Sequence, residues 1–354
     1  MSITDILTFL LILSVLVFIH EAGHFTIAKL FKIKVQEFGI GFPPKLLGFT
    51  YRQTTYSLNA LPFGGFVKLP ETEMAPSSTS RLISDVAPWQ RLCVLSAGPI
   101  MNIIFAIVLF TALFIFPHDT YTGTIVITEV SENSPAYDAG LQTGDQVLAI
   151  NGLSIDNFES IHNQINSTKG KSSKWEVLRG QNISTLIITP RINPPSAEGP
   201  IGIKITLANI TSTKTSHALL PSIVLAIEHL SSTLGFIQTE VSHWIQGTAK
   251  PQLTGPIGIA QVTGEVAKTG LVPLIELTAL LSLNLAILNI LPIPMLDGGR
   301  MVFVLFEIVT RGRKVPKDKE NIVHAFGLLL LVGIIILITF QDIARLLRGE
   351  SILG

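Results

Sequence analysis

From Ile3 to Leu30 the chain is almost wholly apolar, long enough to cross a bilayer, yet the interior of that run reads LVFIHEAGHFTIA, with His20, Glu21 and His24 well inside it. Ionisable side chains at such depth are costly and mark function. In lipid the segment must be a helix, because a helix satisfies its own backbone. A helix places His20 and His24, four residues apart, on one face and about one turn apart. The pattern is H-E-x-x-H, in which two imidazoles bind zinc and the glutamate acts as general base on water. No Lys or Arg precedes Lys29, so the basic region of a cleaved signal peptide is missing, and the segment is expected to stay as a transmembrane helix.

The rest of the composition agrees with lipid. Hydrophobic residues make up 47% of the 354-residue chain and charged ones only 14%. A net charge of zero argues against nucleic acid as a partner. The single cysteine, Cys93, excludes an internal disulfide and a thiolate metal cluster, and is expected in the core.

Further apolar runs near residues 92–116, 272–296 and 322–341 bring the expected number of spans to four. The connection 31–91 is basic, and the connection after the third run holds Arg300, Arg311, Arg313, Lys314, Lys317 and Lys319. Both should face the cytoplasm, leaving both termini and the segment 117–271 outside. Within the first connection, KVQEFGIGF (Lys34–Phe42) and YSLNALPFGGFVKL (Tyr56–Leu69) read as strands of a membrane-associated β-hairpin over about 34–69, with the Gly-Gly pair as turn or bulge. Residues 117–210 form a compact β-rich module: GTIVITEV is a strand, and SPAYDAGLQTGDQVLAING follows as turn, short helix, turn and strand. In the linker 211–271, apolar residues recur at helical spacing from Leu219 to Ile245, with Glu228, Glu240 and His243 interspersed. Pro221 suits a first helical turn, and this amphipathic helix is expected on the outer membrane face rather than as a fifth span. Residues 272–354 carry the last two spans.

Two histidines leave a catalytic zinc short of one protein ligand. The best candidate is Asp297, in NLAILNILPIPMLDGGR. Pro292 and Pro294 remove backbone donors and open the helix there, and Gly298–Gly299 allows close approach of the chain. His24 lies five residues before the boundary residue Lys29 and His20 nine, so a shared ion would sit roughly 7–14 Å beneath the cytoplasmic surface. Water must then reach it through a polar, protein-enclosed cleft.

With HEAGH in the first span, AGPIMN (Ala97–Asn102) opening the second and NILPIPMLDGG (Asn289–Gly299) at the third, the chain resembles the site-2 proteases, intramembrane zinc metalloproteases, in the bacterial branch that cleaves anti-sigma factors and remnant signal peptides. The resemblance covers essentially the whole chain. It implies one catalytic Zn2+ held by His20, His24 and Asp297, with Glu21 as catalytic base. It also implies substrate binding near the metal by Asn284 and Asn289, together with Pro292 and Pro294. The β-rich module resembles a PDZ domain, single here where some members carry two in tandem. A strand-edge groove near Tyr121–Val126 is expected to take a peptide. The fold class implied is a polytopic α-helical membrane protein with four transmembrane helices, a cytoplasmic-side membrane-associated β-hairpin and one extracytoplasmic PDZ domain (α+β). The location implied is the bacterial inner or plasma membrane, with single-span membrane proteins as substrates in regulated intramembrane proteolysis and the lipid bilayer as surroundings. Two other classes remain open at this point: a zinc transporter, which would need no general base beside its ligands, and a PDZ-bearing membrane scaffold with a vestigial metal site.

Overall fold

A computed structural model describes residues 2–70, 81–192, 194–195, 198–247 and 254–348. The chain forms two compact units, one of Met1–Leu113, Leu219–Leu230 and Gln252–Gly354, the other of Phe114–Ala218 and Ser231–Pro251.

The first unit is built on long apolar helices. Helix α1 (Ile3–Leu30) begins with a capping box: Ser2 Oγ accepts from the Asp5 N–H at 3.2 Å, and Asp5 Oδ2 accepts from the Ser2 N–H at 2.7 Å. That gives Asp5, near the end of the apolar run, a structural role. Helix α2 (Pro88–Ile115) runs antiparallel to α1, so that His24 meets Val94 and His20 meets Asn102. Cys93 lies on an exposed face of α2, not in the core. On an apolar helix the outer face is itself hydrophobic, so an apolar residue need not point inward.

Between these helices, β1 (Glu37–Tyr51) and β2 (Thr54–Lys68), 15 residues each, form an antiparallel hairpin. Its tight turn is Arg52–Gln53, both at positive φ (45° and 64°), the two-residue geometry that matches strand twist. The Gly64–Gly65 pair is therefore not the turn. It lies within β2, where Gly65 brings the strand up to Glu21 of α1. The ribbon curls: the start of β1, Glu37–Ile40, pairs with both Thr55–Leu58 and Gly65–Lys68 of β2. Phe38 anchors it on α1, its ring 5.7 Å from Phe18 and 5.1 Å from Phe25.

The second unit holds a six-stranded sheet in which β3 (His118–Val130), β4 (Gln146–Ile150), β5 (Leu153–Ser154), β6 (Ser173–Arg179), β7 (Asn182–Ile188) and β8 (Ile203–Thr215) run in the order β7-β6-β4-β3-β8, with β5 on β4. A short helix α3 (Pro135–Asp138) and α4 (Phe158–Ser167) complete it. Ile125 and Ile127, and Trp175 and Val177, alternate inward, and with Val147 and Ile150, set three apart by an irregularity in β4, they fill the core. β3 pairs with β8 along its length, but with β4 only at Ile125–Val126, so Tyr121–Thr124 have a strand partner on one side among the described residues. The outermost strands of this sheet are β7 and β8.

The chain continues as α5 (Leu219–Ile245), α6 (Pro256–Thr269), α7 (Leu271–Ile290), α8 (Asp297–Val309) and α9 (Lys317–Leu347). Among the described residues, five helices are long and apolar enough to cross a membrane: α1, α2, α5, α7 and α9 over Lys317–Arg345. The expectation of four spans is not met by this criterion, because α5 is 27 residues long and includes an 18-residue stretch with a mean hydropathy of 1.4. Helix α7 stops at Ile290 because Pro292 pushes Leu291 into an extended conformation (ψ 145°).

Candidate metal centre

His20 and His24 face inward from α1, 6% and 7% exposed. Asp297, the first residue of α8, turns its carboxylate onto both: Oδ2 is 2.9 Å from His20 Nε2 and 3.2 Å from His24 Nε2, and the two Nε2 atoms are 3.2 Å apart. One potential ligand atom from each residue lies within 4.8 Å of the others. Atoms about 2.0–2.1 Å from a tetrahedral zinc are roughly 3.3 Å from one another. The trio therefore fits a single ion with little movement, and its N,N,O donor set suits zinc.

Helix α2 closes the centre from behind. A Cβ on Gly98 would fall onto His24 Nε2 and lie 2.7 Å from His20 Cε1 and Nε2, so only glycine lets α2 pass this close. His24 Nδ1 bonds the Val94 carbonyl oxygen at 2.7 Å. Asn102, wholly buried, places its amide Nδ2 3.3 Å from His20 Nδ1, and its own backbone carbonyl accepts from Ser282 Oγ of α7 at 2.9 Å. Asn102 Oδ1 is buried without a partner among the described residues.

Asp297 is held in place by its own surroundings. A Cβ on Gly298 would meet the carbonyl oxygens of Ile290 and Leu291, so the glycine lets the α7–α8 turn fold back tightly. The Met295 N–H donates to His324 Nδ1 of α9 at 2.9 Å, and Pro294 packs on Gly327. Further along α8, Glu307 Oε2 accepts from Arg91 Nη2 of α2 at 2.5 Å, both side chains mostly buried. This pair fastens α8 to the helix that backs the histidines.

Glu21 lies on the neighbouring face of α1, its carboxylate toward the Val67 backbone amide of β2, and its Cγ is 3.7 Å from where a Cβ on Gly65 would be. His20, Glu21, His24 and Asp297 are thus brought together. The other expected residues lie on α7 and in the turn between α7 and α8. Asn284 is exposed on α7, and Asn289 turns its amide nitrogen onto its own helix, donating to the Leu285 carbonyl at 3.0 Å. Pro292 is exposed in the turn and Pro294 half-buried against α9. Gly98 and Asn102 entered the sequence analysis only as part of the AGPIMN motif, with no individual role, and the Arg91–Glu307 pair did not enter it. A signal for Asn102 was present, since a polar residue inside an apolar span needs a partner.

Comparison with known proteins agrees in kind. The profile of peptidase family M50 matches residues 8–334. A Clostridium acetobutylicum protein, provisionally named a zinc metalloprotease, is 34% identical over 348 residues, covering 97% of this chain and 98% of its own. The zinc metalloprotease RasP of Bacillus licheniformis is 29% identical over 424 residues, covering 96% and 99%. A solved PDZ domain of an SdrC-like protein from Listeria monocytogenes is 27% identical and covers 25% of this chain and 92% of its own, with a TM-score of 0.21, too low to carry an argument about fold.

Proposed function

The chain belongs to peptidase family M50 and is a zinc metalloprotease; on that premise we propose that it hydrolyses peptide bonds inside the membrane, within transmembrane segments of single-span proteins. The observation supporting this reading is the convergence of His20, His24 and Asp297 on one point, with Glu21 beside them, between helices apolar enough to span a bilayer. One zinc ion there supplies Lewis acidity, lowering the pKa of water toward about 7 and polarising a carbonyl. Glu21, beside the three residues that would hold the ion, would serve as the general base and acid that moves a proton between water and the leaving amine. Helix α2 and the α7–α8 turn hold the two imidazoles and the carboxylate in place.

A helical substrate hides its peptide bonds, so the bond to be cut must first be extended. The Gly65–Lys68 stretch of β2 pairs with β1 on one side only and runs beside Glu21. A substrate strand added to its other side would lie along that carboxylate. Asn284, Asn289, Pro292 and Pro294 line the route from the third apolar run toward Asp297 and serve in holding the unwound segment.

Four helices cross and α5 does not. The chain leaves the helical unit where His229 packs on Phe110, near the end of α2. It returns in α6, which meets Asp5 at the start of α1 through Gly264 and Lys268. Since α1 and α2 are antiparallel, both attachments are at one end of the bundle. The basic connections set the other end in the cytoplasm of a bacterial cell, leaving the sheet unit outside. We read that unit as a single PDZ module that takes a peptide at an edge strand or restricts access to the membrane site. The test is co-expression with single-span membrane proteins, among them anti-sigma factors and remnant signal peptides. The parent should yield a product shortened within the span, and Glu21→Gln should yield none; an uncut panel with zinc-loaded parent would refute the reading.

A further inference from the structure

Resting on the reading of His20 as a metal ligand, we infer that Asn102 is a positioning residue whose side-chain oxygen accepts from His20 Nδ1–H and fixes the ring in the form that offers Nε2 to the metal. An imidazole that coordinates through Nε2 carries its proton on Nδ1, and the orientation of the ring depends on what accepts that proton. His24 has its acceptor: the Val94 carbonyl, 2.7 Å from Nδ1, can only accept. For His20 the side-chain group at Nδ1 is the amide of Asn102, with Nδ2 at 3.3 Å. In that orientation the amide can only donate, which places the ring proton on Nε2, where it faces Asp297 Oδ2 at 2.9 Å and blocks coordination.

The second observation is the orphaned oxygen. Asn102 is 0% exposed and its Oδ1 has no partner among the described residues, an omission that is costly in a buried site. The two ends of an amide are nearly the same size. Turning the group over about its Cβ–Cγ bond brings Oδ1 to Nδ1, gives the unpaired oxygen a donor and frees Nε2. The backbone keeps its place throughout, because Ser282 Oγ holds the Asn102 carbonyl at 2.9 Å. Asn102 thereby joins three helices at the metal centre: α1 through its side chain, α7 through its backbone, and its own α2.

The experiment compares zinc affinity, by competition with a chelator, for full-length parent, Asn102→Leu and Asn102→Asp in detergent. Leucine keeps the volume and removes the acceptor; aspartate keeps the acceptor and removes the donor. We expect Asn102→Leu to bind about 10–100-fold more weakly and Asn102→Asp to bind as tightly as the parent or more so. Thermal unfolding of the chelator-stripped proteins separates this from a packing role, since lost packing would lower both variants without zinc. Parent affinity in Asn102→Leu, or equal losses in both variants, overturns the inference while leaving the protease reading intact. If Asn102→Leu does not fold, Asn102→Asp alone decides: kept affinity supports the role of the oxygen, and a tenfold loss overturns it. A parent that binds no zinc overturns the metal reading and this inference with it.

Discussion

His20 Nε2 lies 2.9 Å from Asp297 Oδ2 although 277 residues separate them in sequence. No local preference produces that contact. It follows from where α7 is broken and how tightly the turn after it folds back, so the centre depends on the whole helical unit. Asp297→Ala leaves two imidazoles and no carboxylate. Its zinc affinity should fall by more than the roughly 10–100-fold that loss of a merely supporting partner causes. Metal content after dialysis against a weak chelator measures this, and zinc retained at the parent level would remove Asp297 from the ligand set.

Glu21 is expected to separate chemistry from binding. Glu21→Gln keeps the shape of the side chain and its place beside β2 but cannot take a proton. Cleavage should fall by about 10²–10⁴-fold, with zinc content and unfolding temperature near those of the parent. Equal losses of zinc and activity would show Glu21 to be a ligand or a packing residue.

Gly98→Ala adds one methyl group where α2 passes the imidazoles. Alanine normally stabilises a helix over glycine by about 0.5–1 kcal/mol. Here its Cβ would sit on His24 Nε2 and 2.7 Å from His20, so zinc binding and activity should both drop. Gly333→Ala on α9, where a Cβ meets nothing within 4 Å, is the control and should be neutral or stabilising. Metal titration and thermal unfolding of the two variants give the comparison.

The motif on α1 was legible because its polar residues stand out against an apolar run and its spacing fixes their common face. Asp297 was legible from its depth and the prolines before it. The partners behind the imidazoles were not: which asparagine of a span meets which ring depends on the crossing of α1 and α2, and neither sequence states it. Asn284 and Asn289 are five residues apart and so point about 140° apart on α7, one exposed and the other bonded to its own helix. The turn of the hairpin was missed because Arg52–Gln53 lacks the usual glycine, while Gly64–Gly65 answers to the close passage of α1 instead. Helix α5 carries enough apolar surface to cross a bilayer, which Glu228, Glu240 and His243 obscured in the sequence.

Arg91 and Glu307 are mostly buried, 15% and 8% exposed, and joined at 2.5 Å. Removing Glu307 leaves the Arg91 charge without its ion-pair partner, which costs about 3–5 kcal/mol for a buried charge. Among the described residues, removing Arg91 leaves Glu307 only Lys314, at 4.0 Å. Arg91→Met and Glu307→Leu should each lower the unfolding temperature and loosen α8, and the double variant should recover much of the loss. Because α8 carries Asp297, the single variants should also bind zinc more weakly. Losses that simply add in the double variant would show that the two side chains act independently.

In the sheet unit, acid should act through Asp145. Burial alone would raise its carboxyl pKa, but Arg179 bonds both oxygens at 2.7 Å and the Gln142 N–H donates at 2.9 Å, so the balance is a carboxyl held below its ordinary value. The unfolded chain then binds the proton more readily than the folded one. The stabilisation is fully present above the ordinary carboxylate value of about 3.9 and is lost as pH falls through the lower folded value. Arg179 is partly exposed (37%), so the contribution is that of charged hydrogen bonds, about 1–3 kcal/mol, rather than of a fully buried pair. Hydrogen exchange of β4 and β6 in the full chain should show protection falling below about pH 4. Asp145→Asn should be less protected at neutral pH and should lack that step. An unchanged acid transition in Asp145→Asn would place the responsible carboxylate elsewhere.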